Sequence, residues 1–341
     1  MRLLLLGGTE FVGRAVAETA LEHGWDVTVF HRGRHAPVAG VRSLHGDRTE
    51  PDGLTALSGG GTWDLVVDTW SAAPRAVRDT ARLLRDRADR YAYVSSRSVY
   101  AWPQPPGFAE DAPLVEGAEP DADETDYARD KRGGELAVLD TFGAERSLLA
   151  RAGLILGPYE NIGRLPWWLG RIARGGPVLA PGPRDLPLQY VDVRDLAQWV
   201  LGAAVAGLNG PYNLVSPPGH TTMGELLDAC VAVTGSTAEL RWTTPDIVLG
   251  EGIDPWTELP IWVPPDTDLH DTLHAGDTSR AGAAGLRCRP VTETVSDTWR
   301  WLQELGGVAP QRADRPVVGL DPEKEAKALA LTLGEGEARV P

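Results

Sequence analysis

The first hundred residues alternate short, solidly apolar runs with longer stretches whose apolar positions recur every three or four residues. A run that is apolar throughout predicts a strand buried on both faces, and the longer recurrence predicts a helix with one buried stripe. Arg2 to Leu6, Asp26 to Phe30, Val41 to His45, Trp63 to Asp68 and Tyr91 to Ser95 are the expected strands. Phe11 to His23, Pro51 to Leu57 and Pro74 to Arg87 are the expected helices, the last with proline in its first turn. Strict alternation of strand and helix requires parallel pairing with helices on both faces, so the first half is a doubly wound α/β sheet with right-handed crossovers.

After Ser96 the pattern breaks into a proline-rich, acidic loop, Trp102 to Asp126, followed by a helix to Asp140 and a sixth strand, Ser147 to Ala152. Gly157 to Pro187 mixes helix-like stretches with Gly and Pro turns, as in an excursion away from the sheet. The chain is expected back in the sheet at Leu188 to Val191, continuing as helix Val193 to Ala206 and strand Pro211 to Val215. Thr222 to Thr234 and Val291 to Leu305 read as helices, Glu239 to Thr243 as a short strand, and 244–290 as irregular. A last helix, Pro322 to Leu333, has Asp321 as its cap and Glu323 four residues before Lys327.

Composition narrows the function classes. With 341 residues, 42% of them apolar, the chain needs no covalent staples. Cys230 and Cys288 form no CxxC, so neither a disulfide framework nor a metal site is expected, and a cytoplasmic setting is the expectation. A net charge of −15 repels phosphodiester backbones and anionic membranes, which excludes nucleic acid and membrane surfaces as expected partners. The run Leu3 to Leu6 ends at Gly7-Gly8, too short for a signal peptide or a spanning helix.

The first strand-to-helix turn reads Leu6-Gly7-Gly8-Thr9-Glu10-Phe11-Val12-Gly13. Glycine at 7 permits a tight turn, glycine at 13 permits the helix to pack close to the sheet, and the free amides between them suit a pyrophosphate. Gly7, Thr9, Phe11, Val12 and Gly13 are therefore candidate cofactor residues, and the Glu10 side chain is expected to point away from the phosphates. At the end of the second strand stand His31 and Arg32, where an NAD enzyme would usually place an acidic residue. Guanidinium there suits a 2′-phosphate, so NADP is favoured over NAD as cofactor. Asp47 is placed to accept from the adenine amino group, with Arg48 beside it. The expected organisation is a Rossmann-type dinucleotide-binding domain over 1–156, with returning segments near 188–215. A smaller, discontinuous substrate subdomain covers 157–187 and 216–305, and a tail with one helix covers 306–341.

The strongest chemical signal is Tyr127-Ala-Arg-Asp-Lys131 on a helix, after Ser95-Ser96-Arg97-Ser98 at a strand end. Four residues on a helix make one turn, so phenol and ammonium share a face. A nearby cation stabilises the phenolate and brings a poor acid/base toward the working range. Ser96 is then placed to hold the reacting oxygen.

Glycine turn, strand-end serine and YxxxK, in that order, resemble the extended short-chain dehydrogenase/reductase superfamily, the NAD-dependent epimerase/dehydratase family, over about residues 1 to 305. The resemblance also rests on Ser95 to Tyr100, Ala150 to Pro158, Tyr190 to Leu196 and Tyr212 to Leu214. It implies that Tyr127 is the acid/base, that Lys131 also holds the nicotinamide ribose, and that Ser96 is the catalytic hydroxyl. It further implies pairing into a homodimer through a four-helix contact that includes the Tyr127 helix.

Departures from the family pattern carry information as well. Arg97 and Ser98 stand where sugar dehydratases place an Asp-Glu pair, and Leu154 and Leu188 stand where sugar epimerases place an asparagine and an arginine for the diphosphate. The leading expectation is an oxidoreductase acting on a ketone or alcohol of a moderately apolar small molecule. A nucleotide-sugar epimerase with tightly bound NAD is the alternative. A non-catalytic dinucleotide sensor is disfavoured because tyrosine and lysine are both present. Trp102, Trp167, Trp168 and Tyr190 are candidate substrate-lining residues, with packing as the competing role for each tryptophan.

Overall fold

The computed structural model describes residues 1–122, 126–308, 311–313 and 315–338, so 123–125 of the acidic loop and parts of the expected tail lie outside the described residues. The chain forms two compact units, Met1–Ile155 with Val193–Val215 and Gly276–Cys288, and Leu156–Asp192 with Ser216–Ala275 and Arg289–Pro341.

In the first unit, β1 (Arg2–Leu6), α1 (Phe11–Glu22), β2 (Asp26–His31), β3 (Arg42–His45), α2 (Thr55–Ser58), β4 (Trp63–Asp68), α3 (Arg75–Leu84) and β5 (Ala88–Ser96) come first. α4 (Tyr127–Phe142), β6 (Ser147–Ala152), α5 (Val193–Val205), β7 (Gly210–Leu214) and α6 (Ser279–Ala283) complete it. The strands lie side by side in the order β7-β6-β5-β4-β1-β2-β3, with every pairing parallel. This is the Rossmann-type doubly wound sheet that the sequence predicts. Leu3, Leu4 and Leu5 are fully buried because helices cover both faces of β1. α3 turns Ala76, Val77, Thr80, Ala81 and Leu84 inward, the stripe that its periodicity predicts.

Three segments depart from expectation. Leu188 to Val191 does not rejoin the main sheet: Leu188 pairs antiparallel with Thr221, and the Gln189 amide donates to His274 Nδ1 at 3.0 Å. Gly276–Cys288 belongs to the first unit rather than to the substrate subdomain. Asp277 N donates to the Phe108 carbonyl at 2.8 Å, Asn213 Nδ2 donates to the Asp277 carbonyl at 3.0 Å, and the Trp199 indole donates to the Ala284 carbonyl at 3.1 Å. The stretch expected to be irregular carries the short helices Pro245–Gly250, Asp268–His274 and Ser279–Ala283.

The second unit holds a two-stranded parallel ribbon, Gly176–Pro181 with Ala238–Thr243. Having a partner on one side only, the first strand tolerates Pro177 and Pro181, the two residues that disguise it as a loop in the sequence. The C-terminal helix, Pro322–Ala338, is tied to this unit by Glu325, which accepts from Arg171 Nε at 2.8 Å and from Leu179 N at 3.2 Å. Thr222 and Glu225 form a reciprocal capping box at the start of helix Met223–Thr234.

Candidate active site

The turn between β1 and α1 has the backbone that its glycines permit. Gly7 (φ +113°) and Gly8 (φ +92°) lie in the left-handed region, and a Cβ on Gly13 would stand 2.4 Å from Gly8 N. Phe11, at φ +32°, is held in a strained conformation as α1 begins. Glu10 precedes the helix without capping it, and its carboxylate lies 3.6 Å from His35 Nε2. No side chain caps this helix start, and the donor set of a glycine turn before a helix is the kind that fits a pyrophosphate.

At the end of β2, His31 is buried. Its Nδ1 accepts from Gly33 N at 3.2 Å, and Nε2 lies 3.2 Å from Ser43 Oγ. Burial, aided by His45, holds the imidazole below its usual pKa. Arg32 and Arg34 are exposed beside it. Asp47 closes its own turn by accepting from Thr49 N at 3.0 Å. Burial works to raise its carboxyl, but the two Thr49 bonds and the fields of Arg32 and Arg34 bring it below its usual range.

Arg48 is a correction. Its guanidinium faces the core rather than a cofactor, with Nη1 and Nη2 each 2.7 Å from a different oxygen of Asp68. Nε donates to Thr80 at 3.0 Å and Nη2 to the Ala76 carbonyl at 3.0 Å. Trp168 and Tyr190 are also core residues, at 0% and 2% exposure, and the Trp168 indole donates to the Pro260 carbonyl at 2.7 Å. Trp167 packs on Gly319, where its Nε1 stands 2.2 Å from the place a Cβ would take. Trp102 alone of the four candidates is exposed, at 56%. Large flat side chains in a Pro- and Gly-rich stretch read alike whether they pack on the chain or on a ligand, which is why the sequence could not separate them.

The catalytic candidates all belong to the first unit. Ser96 ends β5, and its hydroxyl accepts from Ser98 N at 3.1 Å. Asp126 caps α4 by accepting from Arg129 N at 2.7 Å, and this starts the helix at Tyr127. Tyr127 is 38% exposed, whereas Lys131, one turn on, is 3% exposed. Lys131 Nζ donates to the Trp70 carbonyl at 2.5 Å and to the Val94 carbonyl at 2.7 Å, and it sits 4.9 Å from the centre of the Tyr93 ring. The ammonium is thus anchored at the carboxyl ends of β4 and β5, two residues from Ser96, where open parallel sheets place their ligands.

One turn further along α4, Glu135 is fully buried and accepts from Ser95 Oγ at 2.8 Å and from Arg151 Nε at 2.9 Å. Sequence reasoning missed Asp68 and Trp70, although their place at the end of a strand next to β1 was a usable signal.

A glycine turn between β1 and α1, a serine at the end of β5, and a tyrosine and a lysine one turn apart on α4, all on a doubly wound parallel sheet, are the features of an extended short-chain dehydrogenase/reductase. A model of the NAD dependent epimerase/dehydratase family matches residues 3–214, and the chain belongs to that family. The fold is similar to WbmH of Bordetella bronchiseptica, solved in complex with NAD+, at 18% identity and TM-score 0.64 over 89% of this chain and 99% of that one. It is also similar to UDP-glucuronic acid 4-epimerase from Bacillus cereus, solved with NAD, at 13% identity and TM-score 0.62 over 89% and 99%. A third similar fold is UDP-glucose 4-epimerase from Bifidobacterium longum, solved with NAD+ and UDP, at 17% identity and TM-score 0.63 over 90% and 99%. No curated protein matches the sequence.

Proposed function

We propose that the chain is an epimerase that uses NAD to invert an alcohol-bearing carbon of a nucleotide-linked sugar. The observation that carries this reading is the Lys131 ammonium docked at the ends of β4 and β5, one helical turn from an accessible Tyr127, with Ser96 two residues beyond its Val94 acceptor. The family match and the NAD-bound sugar-nucleotide epimerases of similar fold support it. When bound, the dinucleotide supplies a hydride acceptor that is regenerated within the cycle. Gly7, Thr9, Phe11, Val12 and Gly13 would hold its pyrophosphate, and Lys131 its nicotinamide ribose. Ser96 Oγ fixes the substrate oxygen by hydrogen bond, and Tyr127 takes the hydroxyl proton and later returns it.

Leu154 and Leu188, buried at 6% and 1%, favour a second reading. With neither side chain able to bind a diphosphate, the substrate is instead a moderately apolar ketone or alcohol. The enzyme then works in net turnover with NADP, which the exposed Arg32 and Arg34 would select.

Native mass spectrometry of the purified protein separates the two. Retained NAD, together with inversion of a UDP-sugar followed by NMR and no net change in NADH absorbance, is the outcome expected of the epimerase. In either case Tyr127→Phe is expected to lower turnover at least about a hundredfold while leaving NADH affinity within about twofold. Turnover within about tenfold of the parent would remove Tyr127 from the mechanism.

A further inference from the structure

The Arg48–Asp68 pair lies in the core of the first unit and has no part in the chemistry above. We propose that Asp68, held by Arg48, is a positioning residue for Lys131 and acts through the Trp70 carbonyl.

Three lysines, Lys131, Lys324 and Lys327, stand among 33 basic residues. Lys131 is the only one in the first unit. A titratable ammonium with three rotatable donors does at this site what a planar guanidinium cannot, provided its acceptors are fixed in place.

One acceptor, the Val94 carbonyl, lies within β5. The other, Trp70, lies two residues past the end of β4, where no strand ladder fixes it. It is held on its amide side by Asp68, and its indole Nε1 donates to the Ala73 carbonyl at 2.9 Å. The buried carboxylate accepts from Trp70 N at 2.9 Å, from both terminal nitrogens of Arg48 at 2.7 Å, and from the Tyr91 hydroxyl at 2.6 Å. The Arg48 guanidinium also lies 5.3 Å from the Trp70 ring centre. The carbonyl of the same residue accepts from Lys131 Nζ at 2.5 Å and from the Tyr93 hydroxyl at 3.0 Å. Burial alone would raise the Asp68 carboxyl, but Arg48 and Tyr91 bring it below its usual range, so the acceptor stays ionised.

A buried ion pair adds little stability over an apolar pair of the same size. Holding the amide of the residue whose carbonyl receives Lys131 gives this one a use. The catalytic meaning rests on the role of Lys131 proposed above, whereas the structural chain from Asp68 to Lys131 stands apart from it.

The experiment is an NMR titration of the full chain with lysine labelled at Cε, in which Lys324 and Lys327 serve as internal controls. Two double variants are compared, Arg48→Met with Asp68→Leu and Arg48→Met with Asp68→Asn. Both remove both charges, but only asparagine still accepts from Trp70 N. The Lys131 midpoint is expected to fall by about one pH unit in the leucine pair, the loss of one hydrogen bond to a charged group, and to recover in the asparagine pair.

Equal midpoints in the two pairs, or a leucine pair unchanged from the parent, would overturn the proposal. Should the leucine pair not fold, Tyr91→Phe keeps the ring packing and removes one bond from the carboxylate. A smaller displacement of the same sign is then expected, and an unmoved Lys131 counts against the proposal. The titration needs neither substrate nor dinucleotide. Absence of epimerase activity in the parent would therefore sink the functional reading and leave this one standing.

Discussion

Glu160 shows how one side chain can make the stability of its unit depend on pH. It is fully buried and accepts from Arg164 N at 2.8 Å and Leu165 N at 3.2 Å. Burial pushes its carboxyl up to about 7 from an ordinary 4.5, against the pull of Arg164 and the two amides. The folded state therefore holds this proton more tightly than the unfolded chain does. The resulting stabilisation is complete below the unfolded value and is lost as pH rises through the folded one. Relative to Glu160→Gln, the unfolding free energy of the parent is expected to fall by up to ~3 kcal/mol between about pH 4.5 and 7. Urea denaturation across that range measures it, and parallel curves for the two proteins would refute it. Nothing in the sequence marks Glu160, because the shift comes from burial, which a local pattern does not reveal.

At the scale of elements, the β1–α1 junction carries a sharp steric constraint. A methyl group on Gly13 would meet the Gly8 backbone at 2.4 Å, and backbone cannot rotate aside as a side chain can. Gly13→Ala is expected to lever α1 away from the turn, at a cost of about 1–3 kcal/mol in stability. NADH affinity is expected to fall at least about tenfold, since 1.4 kcal/mol of lost contact already gives that factor. Tryptophan quenching by NADH tests this, and an unaltered affinity would mean that the turn does not bind the pyrophosphate.

This constraint was legible in the sequence, as were the strands of the main sheet, because both depend on local pattern: glycine where backbone must approach backbone, and unbroken apolar runs where both faces are covered. The strand Gly176–Pro181 was not legible, since an edge position excuses the prolines that normally forbid a strand.

For the whole molecule, coenzyme preference is the property that a bulk measurement reads most directly. A ligand that binds only the folded chain raises stability by about 2.7 kcal/mol at a hundred times its dissociation constant. Under the epimerase reading, NADH is expected to raise the thermal midpoint more than NADPH at equal concentration. A larger shift with NADPH, abolished by Arg32→Ala, would instead favour the net oxidoreductase.

The order of motifs along the chain was sufficient to determine the doubly wound sheet and the glycine turn, and to single out Ser96, Tyr127 and Lys131 as candidates, because each is built from residues close in sequence or from a strict alternation of elements. Tertiary structure alone decided that Arg48 serves Asp68 rather than a cofactor, that Trp168 and Tyr190 are core, and that Gly276–Cys288 belongs with the first unit. Those outcomes depend on which distant segments come to enclose a side chain. A guanidinium or an indole has the same local pattern whether its partner is a carboxylate 20 residues away, a carbonyl 92 residues away, or a ligand.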